Sequence, residues 1–159
     1  MHIFETRHRV AHSANEMFAL VASVEDYPQF LPLCEALRIT SRALREDKEV
    51  LIAIMTVGYR LFRERFTTEV ILDRTSRTIL VSYLDGPFAH LENRWRFEPV
   101  GAETSEIDFY IAYSFRSKLF EQLIGGLFEK AVRKYTEAFE ARADAIYGVR
   151  TNEVRSVSA

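Results

Sequence analysis

The sequence predicts an α+β fold in which a strongly bent antiparallel sheet wraps a long C-terminal helix, with two short helices after the first strand. Three observations predict it. Residues 36 to 116 alternate apolar and polar side chains, and turn-forming clusters divide them into six runs. From Ser117 to about Tyr147 the apolar residues instead recur at helical spacing. Near the N-terminus, "SANE" places Ser13 three residues before Glu16, the spacing at which each side chain satisfies an orphan backbone N–H of a helix start.

Taken in order, residues 2 to 10 alternate as a strand does. The helix opened by Ser13 buries Met17, Phe18, Leu20, Val21 and Val24. A helical turn around Glu25 to Phe30 follows. Strands are then expected at 36–45, 48–58, 61–72, 77–85, 89–98 and 104–116. "RED", "VGY", "DRTS", "DGP" and "PVGAE" stand where hairpins need turns, so neighbours in sequence pair as a meander. The apolar face of this sheet carries Met55, Phe66, Tyr83, Leu91, Trp95, Phe109 and Tyr113, while Arg63, Arg65, Arg94, Arg96 and Asp108 take the other face. The C-terminal helix presents Phe120, Leu123, Ile124, Leu127, Phe128, Tyr135 and Phe139, and Gly125 and Gly126 mark a kink, a close approach or a local weakness in it. Residues 1–148 are expected to form one domain and 149–159 a tail.

Composition narrows the function. Aromatic residues make up 13%, with 12 Phe and 7 Tyr, an excess that must fill a core or line a cavity. The 21 Lys and Arg against 23 Asp and Glu leave a net charge of -2, which argues against a strongly basic DNA binder. A single cysteine, Cys34, excludes an intrachain disulfide and fits a reducing compartment. The N-terminus lacks the apolar stretch of a signal peptide and no run is long enough to span a membrane, so a cytoplasmic location is expected.

The segment "VEDYPQFLPLC" combines two prolines with Tyr27, Phe30, Leu31 and Leu33. It is too broken for a strand and too apolar for an ordinary loop, which makes it either a plug over the core or the rim of an apolar cavity. A curved sheet and a helix do not touch everywhere, and the space between them commonly becomes such a cavity.

Four stretches carry a resemblance: "VAHSANEMFALVASVEDYPQFLPLC", "VGYRLFRERFTTEVILD", "LDGPFAHLENRWRFEP" and "FEKAVRKYTEAFEARADAIYG". Together, across Val10 to Gly148, they resemble the coenzyme Q-binding branch of the polyketide cyclase, START-like superfamily, which also contains RatA-type ribosome association toxins. The resemblance implies a helix-grip fold whose cavity holds ubiquinone, or a related polyprenyl lipid, in support of respiratory electron transport. It implies no catalysis and no required cofactor, with ubiquinone as bound ligand and transient contact with an inner-membrane surface. Leu33 departs from the family, which often has Trp there.

On that reading the ligand-binding set is Tyr27, Phe30, Leu31, Leu33, Met55, Glu64, Phe66, Tyr83, Leu91, Trp95, Phe109, Tyr113, Leu123 and Leu127, with Tyr27, Phe30 and Leu31 at the entrance touching the membrane. Glu64, Glu92 and Arg94 read first as a solvated strand face; Glu64 shares strand parity with Phe66, which ranks it above Glu92 as a polar contact for a quinone carbonyl, and its pKa rises if it is buried. Burying one isoprene unit contributes roughly 3 to 4 kcal/mol before ordering costs, so affinity needs little polar chemistry.

Other chemistries find less support. His2, His8, His12 and His90 lack a completing set of metal ligands, and Cys34 has no identifiable histidine partner. An alternative function is binding to the large ribosomal subunit through Arg38, Arg42, Arg45, Arg60, Arg63 and Arg65. A third, polyketide aromatase or cyclase chemistry, requires a positioned acid or base, and the inward-facing residues are almost all apolar, with Glu64 the exception.

Overall fold

The computed structural model describes residues 1–150. Strand β1 (His2–Val10) leads into α1 (Ala14–Ala22), which Ser13 and Glu16 cap reciprocally, and then into a 3-10 helix (Val24–Gln29). Six strands follow: β2 (Cys34–Arg45), β3 (Lys48–Tyr59), β4 (Phe62–Asp73), β5 (Thr78–Asp85), β6 (Phe88–Gly101) and β7 (Thr104–Phe115). They pair antiparallel in the order β1-β7-β6-β5-β4-β3-β2. β1 and β2 therefore lie at opposite edges, and α1 with the 3-10 helix forms the connection between them.

Turn chemistry sets most of the hairpins. Glu46 and Asp47 both have positive φ, the geometry of a two-residue hairpin turn matched to strand twist. Gly86, at φ 141°, is required: a Cβ there would stand 2.5 Å from that of Phe66. "VGY" does not turn. Gly58 and Tyr59 stay within β3, and the reversal comes at Arg60 and Leu61, with Arg60 itself at positive φ.

The C-terminal segment is two helices, α2 (Lys118–Arg133) and α3 (Tyr135–Tyr147). The break is at Lys134 and not at Gly125 or Gly126, which remain helical. A glycine costs a helix interior only up to about 1 kcal/mol, too little to decide where a packed helix ends. Three histidines fasten this pair to the N-terminal segment through 2.7 Å contacts: His2 to Glu121, His8 to Glu140 and His12 to Asp144. They are structural clips, and no cluster of three metal-ligating side chains exists among the described residues.

The dense core lies under α1 and α3, where Met17, Val21, Phe97, Ile107, Phe139 and Ala143 are buried. Farther along the sheet, Leu37, Met55, Val57, Val81 and Tyr83 face inward yet are only half-buried, so the sheet's inner surface is not filled there. Tail residue Arg150 is held by Glu16 at 2.6 and 3.1 Å, while 151–159 of the expected tail lie outside the described residues. Among the described residues no helix is long and apolar enough to cross a membrane.

Candidate functional site

The unfilled region between sheet and helices holds two hollows. The inner one, about 80 Å³, is lined by Met55, Phe66, Thr68, Val81, Leu91, Asn93 and Trp95 from the sheet, by Tyr27 and Leu31 from the segment after α1, and by Phe128, Tyr135 and Phe139 from the C-terminal helices. All of these are buried or half-buried. The outer one, about 20 Å³, is lined by Leu33, Val57, Tyr59, Phe62, Glu64, Pro87, Phe88, Phe115, Phe120, Ile124 and Phe128. Tyr59 and Phe62 are each 40% exposed, which places this hollow at the surface.

Phe128 lines both hollows and is the side chain between them. Its ring packs against Phe88 at 5.4 Å and Tyr113 at 4.9 Å, and Phe88 packs edge-on against Phe66 of the inner hollow at 5.3 Å. An aromatic partition thus stands between the two hollows. Ordinary ligand pockets measure roughly 300–1,000 Å³, so a ligand of that size fits only if the space around this partition widens. The buried residues of α2 are Phe128, Ala131 and Val132, all in its C-terminal half, so the helix is anchored at the partition and not in its first turns.

The predicted site residues divide among these places. Tyr27, Leu31, Met55, Phe66, Leu91 and Trp95 line the inner chamber, and Leu33 and Glu64 line the outer one. Tyr83 and Tyr113 pack on the partition, at 5.7 and 6.3 Å from the Phe88 ring. Phe109 lies against Trp95 at 4.6 Å without lining either hollow. Phe30 likewise packs behind the chamber, 5.1 Å from Phe139 and under the Arg142 guanidinium.

Four expectations are corrected. Tyr27 and Leu31 do not stand at an entrance: both are buried, and the Tyr27 hydroxyl donates to the Val21 carbonyl. With Phe30 on Phe139 they plug the end of the core, because the 3-10 helix turns its apolar side inward against α3. Glu64 has the inward parity but lies near the start of β4, exposed at the mouth. Leu123 is 55% exposed, and Leu127 lines neither hollow. The face of α2 that meets the sheet is the i, i+4 row of Phe120, Ile124 and Phe128, roughly 100° around the helix from Leu123 and Leu127.

Reading the sequence missed Thr68, Asn93, Phe88, Phe128, Tyr135 and Phe139 as site residues. Strand parity already places Thr68 with Phe66 and Asn93 with Trp95, so two polar side chains inside an apolar face were legible. Phe88 and the helix residues were legible only as core.

Burial raises the pKa of Tyr27 and Tyr135, keeping both phenols protonated, and pushes the Cys34 thiol up to about 11. Among the described residues no carboxylate lines the inner chamber. Groups held in this way donate hydrogen bonds and do not act as bases or nucleophiles near neutral pH.

Residues 10–140 match the model of the family described as polyketide cyclase / dehydrase and lipid transport. The chain is 34% identical over 141 residues to the ribosome association toxin RatA of Escherichia coli K12, covering 89% of this chain and 86% of that protein. It is 32% identical over 139 residues to the mitochondrial coenzyme Q-binding protein COQ10 homolog B of Xenopus laevis, covering 86% of this chain and 55% of that one. The solution structure of an 18 kDa protein from Caulobacter crescentus is similar at 32% identity and a TM-score of 0.75, covering 94% of this chain and 100% of that one. The ZhuI aromatase/cyclase of Streptomyces sp. R1128 shares the fold at 18% identity and a TM-score of 0.75, with 94% of this chain and 100% of that one aligned. With its curved seven-strand sheet and C-terminal helices in the START-like helix-grip arrangement, the chain belongs to the polyketide cyclase / dehydrase and lipid transport family.

Proposed function

We propose that the protein binds and carries a polyprenyl quinone, ubiquinone or a close relative, as a cytoplasmic protein in peripheral contact with a membrane and without transforming its cargo. The observation that carries this reading is the pair of apolar hollows on either side of Phe128, the outer one at the surface. Next in sequence to the rim residues Phe62, Phe120 and Ile124, Leu61 is 96% exposed on the β3–β4 turn, and Leu119 and Leu123 are 66% and 55% exposed on α2. Arg60, Arg116 and Lys118 lie in the same segments, and none has an ion-pair partner among the described residues. Apolar tips flanked by free cations suit an anionic lipid surface, the source from which a prenyl tail would slide into the outer hollow. The similarity to a coenzyme Q-binding protein supports the choice of cargo. The protonated phenols and thiol support a carrier over a cyclase.

Organic extraction of the protein purified from its native host, followed by mass spectrometry, is expected to recover a prenylated quinone. Purified protein is expected to bind ubiquinone saturably. Repeated recovery of none, together with no saturable binding, overturns the reading.

A second reading, association with the large ribosomal subunit, is favoured by the RatA similarity and by Arg38, Arg60 and Arg65, which have no ion-pair partner among the described residues. The rest of that basic set is partly neutralised: Arg42 meets Glu25 at 2.7 Å, Arg45 meets Glu69 at 3.6 Å and Arg63 meets Glu35 at 2.8 Å. Sucrose-gradient profiles after overexpression separate the two readings, since unchanged subunit association excludes the second.

A further inference from the structure

We infer that the inner chamber is the head-group site: a planar ring bearing carbonyl or hydroxyl oxygens enters first and is held by Tyr135, Thr68 and Asn93, with its tail running out past Phe128. This rests on the quinone reading above and adds an orientation and a set of polar contacts to it.

The inward face of the sheet around the chamber is apolar except at Thr68 and Asn93. The Thr68 and Tyr135 hydroxyls have no hydrogen-bond partner among the described residues, although Thr68 is buried and Tyr135 half-buried. Among the described residues the fully buried polar side-chain atoms left unpaired are His12 Nδ1 and Arg142 Nε, so the Thr68 and Tyr135 oxygens keep some accessible surface, and each hydroxyl supplies one donor. Asn93 is oriented: its Nδ2 donates to the Tyr110 carbonyl at 2.9 Å and its Oδ1 accepts from Trp95 Nε1 at 2.8 Å. That leaves the second Nδ2 hydrogen unassigned among the described residues.

The spacing suits a ring. Thr68 pairs with Tyr83 across β4 and β5, and Asn93 pairs with Val81 across β5 and β6, so the two polar residues stand on strands either side of β5. Two strand spacings are about 10 Å, enough for side chains from each strand to address opposite edges of one six-membered ring. Tyr135 approaches from the helix side of the same chamber. Burial keeps its phenol protonated, and therefore a donor to a carbonyl. The outer hollow offers aromatic and aliphatic side chains with Glu64 alone as a charged group, a lining suited to a tail.

Trp95, the protein's only tryptophan, lines the inner chamber and reports directly on what arrives there. The test titrates the protein with a short-chain ubiquinone and, separately, with farnesene, a prenyl hydrocarbon without a head. Quinone binding is expected to quench Trp95. Tyr135→Phe and Thr68→Val, which remove one hydroxyl each while nearly preserving shape, are each expected to weaken quinone binding roughly three- to tenfold, leaving farnesene binding unchanged. Quinone that binds the wild type without quenching Trp95 places the head at the mouth and overturns the inference while sparing the carrier reading. Unaltered quinone affinity in both variants, or equal weakening for quinone and farnesene, overturns it likewise. If the wild type binds no quinone, both readings fall together.

Discussion

At the scale of single residues, position along an element matters as much as parity. Leu31 is 6% exposed and lines the inner chamber, while Phe30 packs on Phe139. Replacing both with Ser is therefore expected to lower stability severely, since truncating a buried leucine to alanine typically costs about 2–5 kcal/mol and an unpaired hydroxyl adds to that. Chemical denaturation checks this, and a double variant that unfolds like the wild type would return these residues to the surface. The sequence already told that the segment's apolar side chains need cover; it did not tell whether protein or lipid supplies it. The answer comes from α3, which lies more than a hundred residues away and whose Phe139 receives both Tyr27 and Phe30 edge-on. Thr68 and Asn93 are the reverse case: their inward direction follows from alternation alone, but the bonds that orient Asn93 and the lack of any for the Thr68 hydroxyl among the described residues are visible only once the strands are assembled.

Among elements, local signals were the legible ones. "SANE" starts α1 with both bonds of the capping box in place, and every predicted strand forms to within a few residues. The break at Lys134 and the turn at Arg60 were not legible, because neither follows from the glycines nearby. The tertiary use of the capping residue was hidden too: Glu16 also accepts from Arg150, 134 positions away in sequence. The Arg150 guanidinium, aided by the Ser13 contacts and opposed by partial burial, lowers the Glu16 pKa from 4.5 to about 2. A lowered folded-state pKa gives stability that is complete above the unfolded value and lost as pH falls through the folded one, here between 4.5 and about 2. Arg150→Ala is thus expected to lower the melting temperature by a few degrees at neutral pH, with the gap from wild type narrowing across that acid window. Melts at stepped pH check this; a gap that stays constant down to the lowest pH would trace the effect to packing and not to the ion pair.

For the molecule as a whole, the alternating run followed by a helical one predicted a sheet around a helix, and the structure has that architecture. What alternation cannot supply is which end of the sheet stays open, since that depends on how two helices and a plug share its inner face. The 3-10 helix and α3 close one end with Tyr27, Phe30 and Phe139, leaving the mouth between the β3–β4 turn and the first turns of α2. Leu61 and Leu123 flank that mouth in sequence and are largely exposed, so substituting them removes little buried area. Leu61→Asp combined with Leu123→Asp is expected to cost under about 1 kcal/mol in denaturant unfolding, as exposed-site changes do. The two carboxylates would repel anionic lipid and put charge where apolar tips would insert, so binding to phosphatidylglycerol vesicles in a flotation assay is expected to fall roughly tenfold or more. Quinone transfer between such vesicles is expected to fall in parallel, while quinone added in detergent still quenches Trp95, because the inner chamber is untouched. If the variant is stable and floats with vesicles as the wild type does, membrane docking at this rim is wrong.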